Sequence, residues 1–323
     1  MKEKYPLIES TESSSLPTEM WVNVTNKLPK LDLFNFYRSS KEQKELLQYE
    51  LDKATFLDFV VRGDYHSVRA ALERNIRLLF HRNEVTDCSG RTFFAISGFE
   101  YALWAFDKHM WTLIIECIPA NEEGKEILEL LLDQYNRLRQ QGVSYSLNGQ
   151  ITTGETHFDL ESTLIHQLQL QVNYYRRVGG FLANWDSSNH INKLFVEGVG
   201  GAQKLLPMCI AKAYCSSEPF SPSPKFEDRI DCKPQFYCYF TEEKYLDWYG
   251  KDSGLGSEVA ICKGFKNGAE SFRAGTPVAK AELLEMDLAA MQTFLALRTK
   301  ELLNLEAQLA ERQEAHLKPM MGG

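Results

Sequence analysis

A chain of 323 residues is too long for one simple core, so we expect two or three subdomains. Hydrophobic residues make up 44% of the chain and aromatic residues 12%, which excludes global disorder. The net charge of −8 argues against general nucleic-acid binding, because that activity needs clustered lysine and arginine. We therefore predict no nucleic-acid partner.

Cysteine usage and hydropathy indicate the compartment. Seven cysteines are scattered along the chain without a CxxC pair, which fits free thiols in a reducing compartment better than a disulfide framework. Residues 1–15 are polar and charged and so do not form a secretory signal peptide. Apolar stretches such as Met110–Ile118 are too short to span a bilayer. These features predict a cytoplasmic chain without a transmembrane segment.

Residues 16–53 carry the pattern of a small helical module. Pro17 suits the first turn of a helix, where its missing N–H would be unpaired in any case. Met20, Val24 and Leu28 recur at a spacing of four residues, which places them on one apolar helix face. A second helix is predicted to follow within the same module.

Residues 54–120 are typical of the helix–turn–helix units of repeat proteins. The first unit is centred on Gly63-Asp64, where glycine can adopt the left-handed conformation that ends a helix. A turn at residues 87–92 then leads into the aromatic segment Phe93–Trp111. So many large rings predict a buried hub, with a ligand or peptide pocket as the alternative.

Residues 278–316 form the clearest single element, a long helix. Leucine and methionine recur there with a 4–3 alternation that is typical of a coiled-coil seam or a long bundle helix. Arg298 occupies one core-type position, which favours packing along the chain's own domain, for example on residues 122–141, over an exposed dimer seam. Self-association through this helix, and with it a self-assembling structural protein, stays open.

Together these patterns predict a mainly α-helical fold of several subdomains, with short strands at most around residues 235–240 and 258–262. The predicted segments are a flexible lead-in (1–15), a helical module (16–53), degenerate repeats (54–120), a helical middle domain with loops (121–277), the long helix (278–316) and a tail (317–323).

Metal or acid–base chemistry is not predicted. His157 and Glu161 would share a helix face near a helix start, but a zinc-protease helix needs two histidines at i and i+4, so capping is the simpler interpretation. The cysteine pairs 209/215 and 232/238 are spaced too widely for a typical zinc site. We predict no metal and no cofactor.

Nucleophilic catalysis has one candidate, Cys88, which lies in a turn with His81 and His109 nearby in sequence. Cysteine catalysis needs a thiolate beside a histidine, and nearness in sequence does not establish that geometry. A structural turn cysteine is the competing interpretation. The glycines of 198–201 lack the GxxxxGK[ST] pattern of a phosphate loop. We therefore predict no catalytic residue.

Residues 16–51 resemble an F-box, because Leu16-Pro17, Glu19-Met20-Trp21, Leu28 and Asp32-Leu33 follow one another in the order of that family. The F-box family folds as a small helical module that docks on the adaptor subunit of cullin-type ubiquitin ligases. The resemblance implies that a host ubiquitin-ligase adaptor is a partner. It also implies six docking or core positions, namely Leu16, Pro17, Met20, Val24, Leu28 and Leu33.

Residues 54–118 resemble one ankyrin-type unit and a degenerate second one. Thr55-Phe56-Leu57 stands where that repeat has Thr-Pro-Leu-His, and Gly63-Asp64 fits its helix–turn–helix. Two units are fewer than an autonomous stack needs, so they must lean on neighbouring helices.

The whole arrangement resembles effectors that type IV systems of intracellular bacteria inject into eukaryotic cells, on segments such as Ser89-Gly90-Arg91 and Phe99–Trp104. The resemblance implies secretion into the host cytoplasm by a route without a signal peptide. It also implies action as a protein–protein interaction adaptor on an unknown host protein. The alternative is an effector enzyme of unrecognised type, with a cysteine-dependent protease or deubiquitinase as the first class to test.

Overall fold

The computed structural model describes residues 44–178, 193–238, 244–273 and 281–317, together with residues 28, 29, 31, 32 and 35. The chain divides into two compact units, Met1–Thr55 and Phe56–Gly323. The α-helices are α1 (Lys44–Val61), α2 (Tyr65–Arg74), α3 (Gly98–Trp104), α4 (Lys108–Glu116), α5 (Glu122–Gln141), α6 (His166–Val178), α7 (Gly201–Lys204), α8 (Met208–Cys215) and α9 (Ala281–Leu317). A 3₁₀ turn (Ile76–Phe80) follows α2, and π-helical segments precede α6 (Glu161–Ile165) and α7 (Leu194–Gly200).

The prediction of a mainly α-helical fold is wrong, because short strands form two sheets and the fold is mixed α and β. The described strands are β1 (Asn83–Thr86), β2 (Thr92–Ile96), β3 (Val143–Leu147), β4 (Gln150–Glu155), β5 (Gln235–Cys238), β6 (Lys244–Asp247), β7 (Val259–Cys262) and β8 (Glu270–Arg273). None exceeds six residues, which is too short for a strong period-two signal. Strands β5 and β7 lie in the two segments where the sequence predicts short strands at most, and the other six lie in segments assigned to helices and loops.

Sheet A is antiparallel, with the strand order β1-β2-β3-β4. Phe93 of β2 faces Tyr145 of β3, and both side chains are buried. Trp104 of α3 packs against both rings, with centroid distances of 4.8 Å to Phe93 and 5.9 Å to Tyr145. The aromatic segment is therefore a buried hub, as predicted, although Phe94 on the opposite face of β2 is 45% exposed.

Sheet B has the order β6-β5-β8-β7, in which β5 and β8 run parallel and the other pairs are antiparallel. Strand β7 is buried along its whole length. The π-helical segment before α7 lies directly against it, because a Cβ on Gly200 would lie 2.7 Å from the Val259 carbonyl oxygen. The glycine-rich segment 198–201 thus serves close helix–strand packing.

Helix α4 packs against both α2 and α3, which precede and follow the β1–β2 hairpin in the chain. Asp64 caps α2 by accepting a hydrogen bond from the Ser67 N–H at 3.0 Å. Ser97 begins α3 in a reciprocal capping box with Glu100. The resemblance to ankyrin repeats stays a prediction. The β1–β2 hairpin, which lies between α2 and α3 in the chain, is part of a four-stranded sheet.

Helix α9 is the long helix that the sequence predicts, and it packs along α5 and α6 within its own unit. Its apolar stripe is covered by this packing, and Leu302, Leu305 and Leu309 are buried. Near its end, the Gln313 side-chain amide donates to Glu129 of α5 at 3.2 Å. Among the residues that the structure describes, no helix combines the length and hydropathy needed to cross a bilayer.

Candidate functional site

The predicted docking residues fall almost wholly outside the described residues. This applies to Leu16, Pro17, Met20, Val24 and Leu33. Leu28 is described, in a bend and partly exposed. The F-box resemblance therefore remains a prediction.

The thiol candidate Cys88 is a protonated turn cysteine. Burial raises the pKa of its thiol to about 11, and its sulfur lies 4.0 Å from the Val61 carbonyl oxygen. The ionisable groups that act on it most are Arg62, Asp87, Asp247 and Lys212, and neither His81 nor His109 is among them. A thiol needs a lowered pKa to be a nucleophile, and this environment does the reverse.

The structure brings a different cysteine, Cys209, together with His109 and Asp107 around one internal cavity. The Cys209 thiol donates to the Ala105 carbonyl oxygen at 3.1 Å, and burial raises its pKa well above the ordinary value. Burial also lowers the pKa of His109 to about 4, so a neutral thiol faces a neutral imidazole. The cavity of about 20 Å³ has room for one water molecule and for no substrate.

The same cavity is lined by buried charges that serve the fold. Asp107 caps α4 through the Met110 N–H at 3.0 Å and accepts from the Tyr65 hydroxyl at 3.1 Å. The ammonium of Lys212 donates to the Gly63 carbonyl oxygen at 2.8 Å and so satisfies the turn between α1 and α2. Arg298 donates to the Phe226 carbonyl oxygen at 2.8 Å. Each of these three side chains therefore has at least one structural partner.

Arg91 forms a second buried polar centre, between the hub and α7. Its guanidinium lies 5.0 Å from the Phe158 ring centroid, 5.5 Å from Tyr145 and 5.6 Å from Trp104. It donates to the Leu205 carbonyl oxygen at 2.7 Å. Cation–π contacts of this kind are strongest where water is excluded. Arg91 therefore ties the β1–β2 turn to a distant loop.

Lys263 and Asp287 form a third buried polar centre, and both side chains are fully buried. The Lys263 ammonium donates to the Ala213 carbonyl oxygen at 2.6 Å and to the Ser216 hydroxyl at 2.8 Å, at the end of α8. The Asp287 carboxylate on α9 accepts from the Gly264 N–H at 2.7 Å and the Lys263 N–H at 3.1 Å. Burial raises the pKa of Asp287 to about 7 and lowers that of Lys263 to about 8. The pair joins sheet B to α8 and α9.

The polar residues near the start of the segment Glu161–Ile165 make local contacts or face solvent. Asp159 accepts from the Ser162 N–H at 2.9 Å, and the His157 ring contacts the Phe158 carbonyl oxygen at 3.1 Å. Glu161 and His166 are exposed. Within the described ranges, no group of three or more histidine, cysteine or acidic side chains is placed to hold a metal ion.

Each of the two sheets also presents a surface to solvent. An open groove of about 580 Å³ lies on sheet B, lined in part by Tyr237 and Tyr245, whose ring centroids are 5.6 Å apart. On sheet A, Phe94 and Ile151 are exposed on the face opposite the hub. Neither surface was predicted, because β3 and β4 of sheet A and β6 of sheet B lie in segments that the sequence assigns to loops or helix. The signal for the β3–β4 hairpin was the dipeptide Asn148-Gly149.

Comparison with known proteins gives one family. Residues 163–309 match the family model described as the CBUA0006 C-terminal domain, a stretch that contains Lys263, Asp287 and Arg298. A protein of Coxiella burnetii (strain RSA 493 / Nine Mile phase I), described as "Uncharacterized protein CBUA0006", is 32% identical over 272 residues, which is 79% of this chain and 74% of the relative. No solved structure matches the chain. At this identity and coverage, the chain belongs to the family of the Coxiella burnetii protein CBUA0006.

Proposed function

We propose that this protein is a secreted effector that acts in a host cell as a protein–protein interaction adaptor, linking a host target to a cullin-type ubiquitin ligase. The observation that carries the ligase half of the proposal is the F-box-like order from Leu16-Pro17 to Asp32-Leu33. Delivery into a host cell rests on the resemblance of segments such as Phe99–Trp104 to type IV effectors.

The described residues support binding over catalysis. Burial raises the pKa of six thiols, at positions 88, 117, 209, 215, 232 and 262. Their environments therefore do not activate these thiols, whereas the solvent side of both sheets presents exposed aromatic and aliphatic side chains. Aromatic residues are enriched where proteins bind one another.

A pull-down from eukaryotic lysate, read by mass spectrometry, tests the ligase link. The full-length protein should recover the ligase adaptor and cullin, and the double variant Leu16→Ala/Pro17→Ala should recover about tenfold less, because the first apolar contacts of the module are lost. The variant Pro6→Ala/Leu7→Ala is the matched control, since it changes the same residue types in the lead-in. It should behave like the wild type.

Either of two results would contradict the ligase link: the wild type recovers no adaptor, or the Leu16→Ala/Pro17→Ala variant recovers as much as the control. Delivery is measured separately, with an enzyme reporter fused to the chain in bacteria with and without a working type IV system. Reporter signal inside host cells that does not depend on the secretion system would overturn that half of the proposal.

A further inference from the structure

The two edges of sheet A differ in how they are protected. Edge strand β1 has a register shift between Asn83 and Val85, and Arg82 next to it donates to the Ala95 carbonyl oxygen at 2.9 Å. Arg82 also pairs with Glu100 at 3.1 Å. A bulge and neighbouring charges are the usual devices that stop an edge from pairing with another chain.

Edge strand β4 lacks these devices along Gln150–Thr153, and its own bulge, at Gly154, and its one charge, on Glu155, come only after that stretch. From Gln150 to Gly154 it has no charge, no lysine and no proline, and Ile151 is 68% exposed. Among the residues that the structure describes, β4 pairs with β3 and with no second strand. An exposed, uncharged edge is a template for strand addition.

The turn geometry shows which main-chain groups of β4 are free to pair. Asn148-Gly149 is a two-residue hairpin loop with both φ angles positive, 50° and 78°. In such a hairpin the residues that flank the loop form a hydrogen-bonded pair, and such pairs alternate along the ladder. Gln150 and Thr152 therefore direct their N–H and C=O groups to β3. Those of Ile151 and Thr153 point away from the sheet.

The side chains beside this edge are also uncharged. Ile151 stands opposite Ser146, and Thr153 stands opposite Ser144. Phe94 of β2 is exposed on the same sheet face, because its neighbour Phe93 points into the hub. A strand added to β4 would therefore place alternate side chains along an apolar and hydroxyl-bearing surface.

The size of the edge decides what kind of partner fits it. A pairing of six residues covers far less than the roughly 800 Å² that each partner buries in a stable complex of two rigid proteins. A second copy would also bring together two chains of net charge −8. An extended segment avoids both problems, because its main chain pairs with the edge while its side chains lie on the uncharged face.

We infer that β4 is a docking edge for an extended, uncharged segment of a partner protein, which adds to sheet A as a fifth strand. The inference rests on the proposed adaptor function and names the surface that would receive the target. Main-chain hydrogen bonds at Ile151 and Thr153 supply affinity, and alternate apolar residues of the partner segment contact Ile151 and Phe94.

The test uses full-length protein and a phage-displayed library of random twelve-residue peptides as the probe. Enriched peptides, made synthetically with a fluorescent label, are titrated by anisotropy against the wild type, Thr153→Pro and Thr153→Ala. Proline removes the outward N–H and is tolerated at an edge position that faces solvent, whereas alanine keeps that N–H. We expect uncharged peptides with alternating apolar residues, and binding that is about tenfold weaker for Thr153→Pro but retained by Thr153→Ala.

A second variant covers a failure of Thr153→Pro to fold, which a thermal melt would detect. Ile151→Lys leaves the main chain unchanged and should weaken the same peptides by placing a charge on the docking face. Peptides that bind all variants equally, or a library without enrichment, would overturn the inference. Because Leu16 and Pro17 lie outside β4, recovery of the ligase adaptor in the pull-down is an independent result, so failure of the docking edge and failure of the ligase link can be told apart.

Discussion

Replacing the buried carboxylate of Asp287 by an amide should change how the stability of this protein depends on pH. Asp287→Asn keeps the side-chain shape and one carbonyl oxygen that can still accept from the Gly264 N–H, now 2.7 Å away. It turns the other oxygen, 3.1 Å from the Lys263 N–H, into a donor. The variant therefore gives up one hydrogen bond and loses the titratable group.

The magnitude follows from linkage between proton binding and folding. Burial raises the pKa of Asp287 from 3.8 to about 7, so the folded state binds this proton more tightly than the unfolded state. Its stabilising contribution is complete below about pH 4 and is lost as the pH rises through about 7. Since each pKa unit corresponds to about 1.4 kcal/mol, the wild type should lose at most about 4 kcal/mol across this range through Asp287.

The assay is guanidinium unfolding between pH 4 and 8, followed by the fluorescence of the tryptophans, of which Trp248 is fully buried. The quantity to plot is the unfolding free energy of Asp287→Asn minus that of the wild type, because other titrating groups cancel in this difference. It should rise from pH 4 to pH 7 and then level off. Asp252→Asn, at an exposed carboxylate, is the matched control and should give a flat difference. A flat difference for Asp287→Asn would refute the reasoning.

Three further results are expected. Burial lowers the pKa of His109 from 6.5 to about 4, so the stability that the neutral imidazole provides is present above about pH 6.5 and is lost as the pH falls through about 4. The full shift corresponds to about 3 kcal/mol, and because solvent screens this half-buried ring, His109→Gln should remove about 2 kcal/mol of acid sensitivity in the same unfolding series. Gly200→Ala should lower the unfolding free energy by about 2 kcal/mol, because the added Cβ would meet the Val259 carbonyl oxygen. At the neighbouring Gly201 the added Cβ would point into open space, so Gly201→Ala should be neutral or stabilising in thermal melts. Iodoacetamide at pH 7.5 should label the folded protein about a hundredfold more slowly than the unfolded chain, since burial raises six thiol pKa values; one rapidly labelled cysteine would favour the enzyme alternative.

Elements with a strong local period could be predicted from the sequence. Helix α9 is of this kind, because its leucine and methionine stripe repeats over about seven turns, from Leu284 to Leu309, and α5 offers a matching apolar face. Arg298 within that stripe could not be explained locally. Its acceptor is the Phe226 carbonyl oxygen, 72 residues earlier in the chain, so only the folded chain shows why arginine is tolerated there.

The hairpin β3–β4 lies within residues 121–277, for which the sequence analysis predicts helices and loops, although a local signal for it exists. Its serine, threonine and glycine content is typical of loops, but Asn148-Gly149 between alternating apolar residues is a strong hairpin signal. Lys263 is the opposite case. It follows the apolar run of β7 and precedes Gly264, and nothing in that context indicates that its ammonium reaches Ala213 and Ser216, about 50 residues away.

An adaptor differs from a simple binding protein because its two contacts must be separable and must also operate at the same time. We propose that the module at residues 16–53 makes the ligase contact and that β4 makes the target contact, so each contact should fail alone. Leu16→Ala/Pro17→Ala should lose the ligase adaptor and keep the β4-binding peptide, and Thr153→Pro should do the reverse. With purified adaptor and labelled peptide, the wild type should carry both in one complex on a sizing column, and each variant should carry only one. Loss of both ligands in either variant would mean that the two contacts share a surface, which would exclude an adaptor in which they are separate.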